Sequence, residues 1–259
     1  MTNSTEGLLK DGAMIADLLA SRPLIRAVNF HNTPLKREAE LDRQLAHCAR
    51  HFSPVDEDDL ERWLASGEWQ KPKPGMILAF YEGYRNGYDV IRPLLEKHGL
   101  TGWFFIITGF VDTPAADQLE YAFAHDIGME TREYADGRYA LSWDEIRALD
   151  GKHVIASHAR SHQPIAAMDA AAQRGEVLGS QARISSELGH AAQSFVSYGG
   201  PAYGEDAAVD ALVGEAGYRF QFSNYRIQRL PSRATAVKQG TGVARLRGRG
   251  SHYECPSTG

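Results

Sequence analysis

His158 and His162, two histidines four residues apart, have more capacity for chemistry than any other feature of this sequence. Spacing of four brings two imidazoles to one side of a helical turn, where they can share a metal ion. Spacing alone is a weak signal. A chain with ten histidines supplies such pairs by chance, and a second one, His47 and His51, is present. His158 directly follows an apolar run, Val154 to Ser157, and so stands at a strand end. His47 and His51 fall within an amphipathic segment, with no strand end nearby and no acid placed to join them. They read as a solvated or half-buried helix face. Glu82 follows a second apolar run, Met76 to Phe80, and precedes Gly83, which makes it the natural third ligand. A carboxylate with two histidines leaves coordination positions free for water and substrate.

Other reactive residues gather beside these. His31 follows Leu24 to Phe30 and suits either proton transfer or a satisfied structural role. Tyr81 is adjacent to Glu82. Arg160 lies between the paired histidines, where it either orients a carboxylate or folds back onto backbone carbonyls. A third apolar run, Ser194 to Tyr198, leads into Gly199-Gly200-Pro201, and backbone N–H groups from Tyr198 to Gly200 are candidates to stabilise an oxyanion. The aromatics Tyr81, Tyr84, Trp103, Trp143, Tyr198 and Tyr203 offer faces on which sugar rings stack, or simply core packing, which is favoured for Trp103.

The elements that position these residues alternate. Strands are expected at Leu24 to Phe30, Met76 to Phe80, Gly102 to Thr108, Val154 to Ser157, Ser194 to Tyr198 and Tyr218 to Ser223. Helices are expected at Glu38 to Phe52, Asp56 to Ser66, Tyr88 to His98 with Gly99 as C-cap, Ser142 to Leu149, Ala170 to Leu188, and Glu205 to Ala216. Ser142 and Glu145 have the spacing of a capping box. Strand–helix alternation points to a parallel sheet with helical crossovers, in one α/β domain closed or nearly closed into a barrel. Chemistry in such folds collects at the C-terminal ends of strands. Glu82, His158 and Gly199-Gly200 all fall there.

A length of 259 residues suits one such domain, and net charge −5 gives no reason to expect nucleic acid or an anionic membrane as partner. No apolar run approaches the roughly 20 residues of a membrane-spanning helix. The stretch around Ala13 to Ala20 carries Asp17 and is read as a short amphipathic helix, so a cytoplasmic protein is expected. The division is a helical extension at 1–23, a barrel at 24–250 and a polar tail at 251–259. Cys48 and Cys255 imply no disulfide framework. No feature sets an oligomeric state.

Several of these segments resemble the polysaccharide deacetylases with a NodB-type domain, carbohydrate esterase family 4. Ile77-Leu78-Ala79-Phe80-Tyr81-Glu82-Gly83-Tyr84 is similar to the family's Thr-Phe-Asp-Asp-Gly-Tyr motif, and Ser157 to His162 to its His-Ser/Thr-x-x-His motif. Glu176, Ser180, Glu187-Leu188-Gly189 and Ala216-Gly217-Tyr218 recur at familial offsets, and Phe30-His31 resembles the Tyr-His of exopolysaccharide-type members. The resemblance implies a distorted (β/α)7-type barrel and a zinc-like divalent metal on Glu82, His158 and His162. It also implies removal of an N-acetyl or other N-acyl group from a sugar of a cell-surface polysaccharide, an O-antigen for instance, or of its precursor.

The departures are specific. Tyr81 stands where the family has its general-base aspartate, and a tyrosine of pKa about 10 is a poor base at neutral pH. Tyr81 is then expected to hydrogen-bond the reacting group. Glu82 replaces the metal aspartate and Ala159 the usual Ser/Thr. The third motif reads Ser197-Tyr198-Gly199-Gly200, and no clear late Leu-x-His is present. Two alternatives follow: a catalytically degenerate carbohydrate-binding relative, or metal-free hydrolysis of a cyclic amide, as in the allantoinase-like branch with its Tyr-Glu-Glu-Gly variant.

Overall fold

The computed structural model describes residues 24–231. The expected N-terminal helix and polar tail, with His252 and Cys255, lie outside them. The strands are β1 (Ile25–Phe30), β2 (Ser53–Pro54), β3 (Gly75–Phe80), β4 (Gly102–Ile106), β5 (Val154–Ser157), β6 (Ser194–Phe195), β7 (Phe220–Phe222) and β8 (Ile227–Arg229). They form one curled sheet in the order β1-β3-β4-β5-β6-β7-β8, with β2 also paired to β3. All pairings are parallel except β7 with β8. This is the expected distorted barrel, with β1 and β8 at its two edges among the described residues.

The helices are α1 (Glu38–His51), α2 (Glu57–Ser66), α3 (Arg92–His98), α4 (Thr108–Asp112), α5 (Gln118–Ala124), α6 (Trp143–Leu149), α7 (Ala170–Arg174), α8 (Ser180–Leu188) and α9 (Ala207–Ala216). α2 and α6 start with capping boxes, Asp56 with Asp59 and Ser142 with Glu145. Two expected helices are interrupted. Tyr88 to His98 begins as a π-turn, Gly87–Ile91, before α3; Pro93 at the start of α3 has no N–H to continue an α-helical ladder. Ala170 to Leu188 carries a second π-turn, Gly175–Gly179, between α7 and α8.

Strand β3 is buried along its whole length, and its alternation sorts the core into two layers. Ile77, Ala79 and Tyr81 face the barrel interior with Trp103, Phe105, Ala156, Phe220 and Phe222. Met76, Leu78 and Phe80 face the helices with Phe104, Ile106, Ile155 and Phe195. Each large side chain so buried stabilises by roughly 1.5–3 kcal/mol. Leu60 and Leu64 of α2 enter the interior layer, and Trp103 Nε1 donates to Val55 O at 2.7 Å. Trp103 is therefore interior core. Trp143 donates to Asp112 on an exposed flank, so neither tryptophan belongs to the site. Among the described residues, no helix is long and apolar enough to cross a membrane.

Candidate active site

Glu82 leaves β3 in a left-handed conformation, φ 67°, followed by Gly83 at φ 85°. A non-glycine residue there stores roughly 1–3 kcal/mol of strain, which persists where the surroundings enforce it. Here Glu82 O accepts from Ile107 N and Gly83 O from Leu141 N. The turn brings a carboxylate that is 2% exposed onto the mouth of the barrel. Its Oε1 accepts from His31 Nδ1 at 2.8 Å, while Oε2 is buried with no hydrogen-bond partner. A buried carboxylate oxygen without a donor is costly unless a cation meets it.

His158 and His162 do not lie on a helical turn, contrary to expectation. They occupy an irregular loop after β5, bent at Ala159, φ 60°. Glu176, in the second π-turn, clamps that loop: Oε2 accepts from Arg160 N (3.0 Å) and Ser161 N (2.7 Å), and Oε1 from Ser161 Oγ (2.7 Å). His158 N donates to Ile106 O at 2.8 Å. The loop thus sets the two rings edge to face, centroids 5.0 Å apart.

Ligand-type atoms of Glu82, His158 and His162 all lie within 4.8 Å of one another. His158 Nδ1 faces Val196 O at 3.3 Å and His162 Nδ1 faces His125 O at 2.9 Å. A carbonyl oxygen only accepts, so each Nδ1 carries a proton, and it is Nε2 whose lone pair the neutral ring offers to a metal. Burial, then the neighbouring His162, pushes His158 down to about 3, which holds it neutral. Two imidazoles and a carboxylate with an orphaned buried oxygen fit a divalent cation of the zinc type.

Of the other expected residues, His31 joins the site through Glu82, whose hydrogen bond raises its pKa. Tyr81 stacks on Phe105 (4.9 Å) and His31 (5.5 Å) and meets His158 edge-on. Burial, reinforced by the Glu82 charge, pushes its phenol far above the usual range, so it is no base at neutral pH. Tyr198 stands edge-on to His162 at 4.6 Å and donates to Asp126 Oδ2 at 3.1 Å. Gly199 is exposed, and Gly200 N donates to Ser197 O at 3.0 Å, so the expected oxyanion donor at Gly200 is already committed. The Arg160 side chain does not reach the cavity; it is exposed, with one guanidinium nitrogen near Gly175. His47 and His51 sit on the exposed face of α1.

A cavity of about 610 Å³ opens over the triad, lined by His31, Glu82, Tyr84, Asp126, Glu130 and His162 among others. Its wall from His125 to Glu133 went unread in the sequence. Gly128 O accepts from Tyr84 OH (2.7 Å), Glu130 pairs with Lys36, and Asp126 lies at φ 54°. This wall lies within a stretch without periodicity, and long-range hydrogen bonds place it.

A curled (β/α) sheet thus carries a carboxylate and two histidines at its strand ends, an arrangement able to hold a divalent cation. Residues 69–220 match the family model for polysaccharide deacetylase, more than half of the chain, and the chain belongs to that family. Membership supports a hydrolase that removes acyl groups from polysaccharide. No curated protein sequence matches. Among solved structures, the fold is similar to Streptococcus pyogenes deacetylase PplD in complex with acetate (14% identity, 81% of this chain, 87% of that one, TM-score 0.59). It is also similar to IcaB from Ammonifex degensii (16%, 78%, 84%, 0.57). The BpsB deacetylase domain from Bordetella bronchiseptica is comparable (18%, 77%, 87%, 0.54). At these identities the likeness establishes the fold.

Proposed function

We propose that the protein hydrolyses an N-acetyl or other N-acyl group on an amino sugar of a cell-surface polysaccharide or its precursor. In this reading Glu82, His158 and His162 hold a zinc-type divalent cation. The observation that carries the reading is the convergence of those three residues around the orphaned Glu82 Oε2. When bound, such a cation supplies Lewis acidity toward the acyl carbonyl and toward water.

The chain's own groups do the rest. Val196 O and His125 O hold the two rings by Nδ1. His31, its Nδ1 tied to Glu82 and its proton held more firmly than usual, donates to the leaving amine. The water proton needs an acceptor other than Tyr81. Of the carboxylates lining the cavity, Glu82 is in the triad and Glu130 is paired with Lys36; Asp126, bonded to the neutral Tyr198 hydroxyl, takes this role. Tyr198, edge-on to His162 beside the cavity, offers an aromatic face to a sugar ring.

The test measures metal content of purified protein by mass spectrometry and acetate release from N-acetylglucosamine oligomers, for wild type and His158→Ala/His162→Ala. About one ion per chain, lost with activity in the variant, supports the reading. Tyr81 in place of a carboxylate favours the degenerate reading, in which metal is bound but no acylated sugar is turned over. Full activity in excess chelator would instead support metal-free amide hydrolysis.

A further inference from the structure

Asn86 follows the Glu82 turn, just before the π-turn Gly87–Ile91, and is 2% exposed. It is not one of the triad residues, yet its amide joins the loop after β1 to the wall of the cavity. Nδ2 donates to Asn32 Oδ1 at 2.7 Å and to Glu133 Oε2 at 3.0 Å. Oδ1 accepts from Thr33 Oγ1 at 2.9 Å, and Thr33 is itself buried. Both amide hydrogens of Asn86 are therefore spent on two different segments.

Glu133 sets the direction of these bonds. Its carboxylate only accepts, so Asn86 has to present Nδ2 to it. The second Nδ2 hydrogen then faces Asn32 Oδ1, and Asn32 turns its own Nδ2 to Gly128 O at 3.4 Å. Glu133 Oε1 accepts from Leu35 N at 2.7 Å. The loop that continues from His31 is thus tied to the wall that continues from Asp126, through an amide anchored beside the Glu82 turn. His31 needs such support. Its ring is 67% exposed and rests on a hydrogen bond to Glu82 and a stack on Tyr81. Asp126 needs it as well, since its φ of 54° is a strained conformation that persists only where the surroundings enforce it.

We infer that Asn86 is a positioning residue, which holds His31 and Asp126 at a fixed separation across the cavity above the triad. The inference rests on the deacetylase reading for the roles of those two residues; the tie between their segments does not. A proton donor and a proton acceptor that serve one reacting group have to keep their spacing. A displacement of about 1 Å can cost roughly 10²-fold in rate. A buried amide bonded to both segments supplies the rigidity that the exposed His31 ring lacks.

The test uses the full chain loaded with zinc, well below its melting temperature. Asn86→Asp keeps the shape of the side chain, removes both N–H donors and faces Glu133 with a second carboxylate. It should lower kcat on N-acetylglucosamine oligomers by about 10²-fold, while KM and zinc affinity stay at wild-type values. Amide hydrogen exchange should quicken in residues 32–36 and 128–133 together, with α6 and α9 unchanged. Thr33→Val removes a single bond of the set, so it should fold where Asn86→Asp does not, with the same paired loosening and a smaller loss of kcat. Glu133→Gln should also lower kcat, because it sets an N–H against an N–H. In Asn86→Asp/Glu133→Gln the new amide can donate to the new carboxylate, so kcat should recover to within about tenfold of wild type. An unchanged kcat in folded Asn86→Asp overturns the inference, as does faster exchange in one segment alone. Single losses that simply add in the double variant overturn it too, and so does a zinc affinity that falls in step with kcat. A wild-type protein that releases no acetate removes the deacetylase reading, and the tie is then decided by the paired exchange alone.

Discussion

Replacing Glu82 by glutamine separates a metal ligand from a structural carboxylate. The side chain keeps its size, and its amide oxygen can still accept from His31 Nδ1, now 2.8 Å from Oε1. What disappears is the negative charge and the lone pairs of the buried, unpartnered Oε2. In the metal-free state the variant gives up the charge on the His31 hydrogen bond but also relieves a buried, unpartnered charge, so it should melt close to wild type. Metal changes the comparison. A ligand present at 100 times its dissociation constant stabilises the native state by about 2.7 kcal/mol. For a domain of this size that corresponds to a rise of roughly 5–10 °C in Tm. Wild type should show that rise on addition of zinc, and Glu82→Gln should show almost none at the same concentration. Differential scanning calorimetry, with and without chelator, makes the measurement. Equal metal-induced shifts in the two proteins would refute the assignment of Glu82. A metal-free variant melting well below wild type would show the carboxylate to be structural.

Other residues give sharper or cheaper tests. Tyr81→Phe removes a phenol held far above its usual pKa. Deacetylation should stay within about threefold of wild type, against the 10²–10⁴-fold loss expected of a true proton-transfer group. Asp126→Asn should lower kcat by about 10²-fold or more while metal content is unchanged; an unchanged kcat would remove Asp126 from the mechanism. Glu57, at the start of α2, is raised by burial from 4.5 to about 7. The folded state therefore favours the protonated form. Stability is fully present below pH 4.5 and is lost as pH rises through 7, by about 3 kcal/mol in all. Glu57→Gln should flatten that slope, so urea melts of the variant should exceed wild type at pH 8 and converge with it at pH 4. Parallel slopes would mean that Glu57 is solvated.

The strands that present the site were legible because a strand buried on both faces has to be an apolar run. Met76 to Phe80 and Val154 to Ser157 could hardly be anything else, and Glu82 and His158 follow from where they stop. The path between His158 and His162 was not legible. A spacing of four fits a helical turn as well as a bent loop, and the decision rests on Ala159 and on Glu176, the latter far along the chain. Asp126 and its neighbours left no local signal, since Gly128, His125 and Glu130 are held by Tyr84, His162 and Lys36 from distant elements.

Position 81 shows how far local pattern can mislead about chemistry. In strand parity, Ile77, Ala79 and Tyr81 point into the barrel, where an aromatic ring packs between Phe105 and His31. The left-handed φ of Glu82 is what turns the next side chain onto the mouth. A carboxylate at 81 would sit beside a second buried carboxylate, and both could not remain charged without a cation to offset them. A tyrosine there relieves that demand and fills the interior, but it leaves the reaction without a base on β3. On the proposed reading the proton must then go to the facing wall, which makes activity depend on the segment carrying Asp126. Variants that loosen this wall without touching the triad, such as Tyr84→Phe at its bond to Gly128, should lower kcat before they lower metal content.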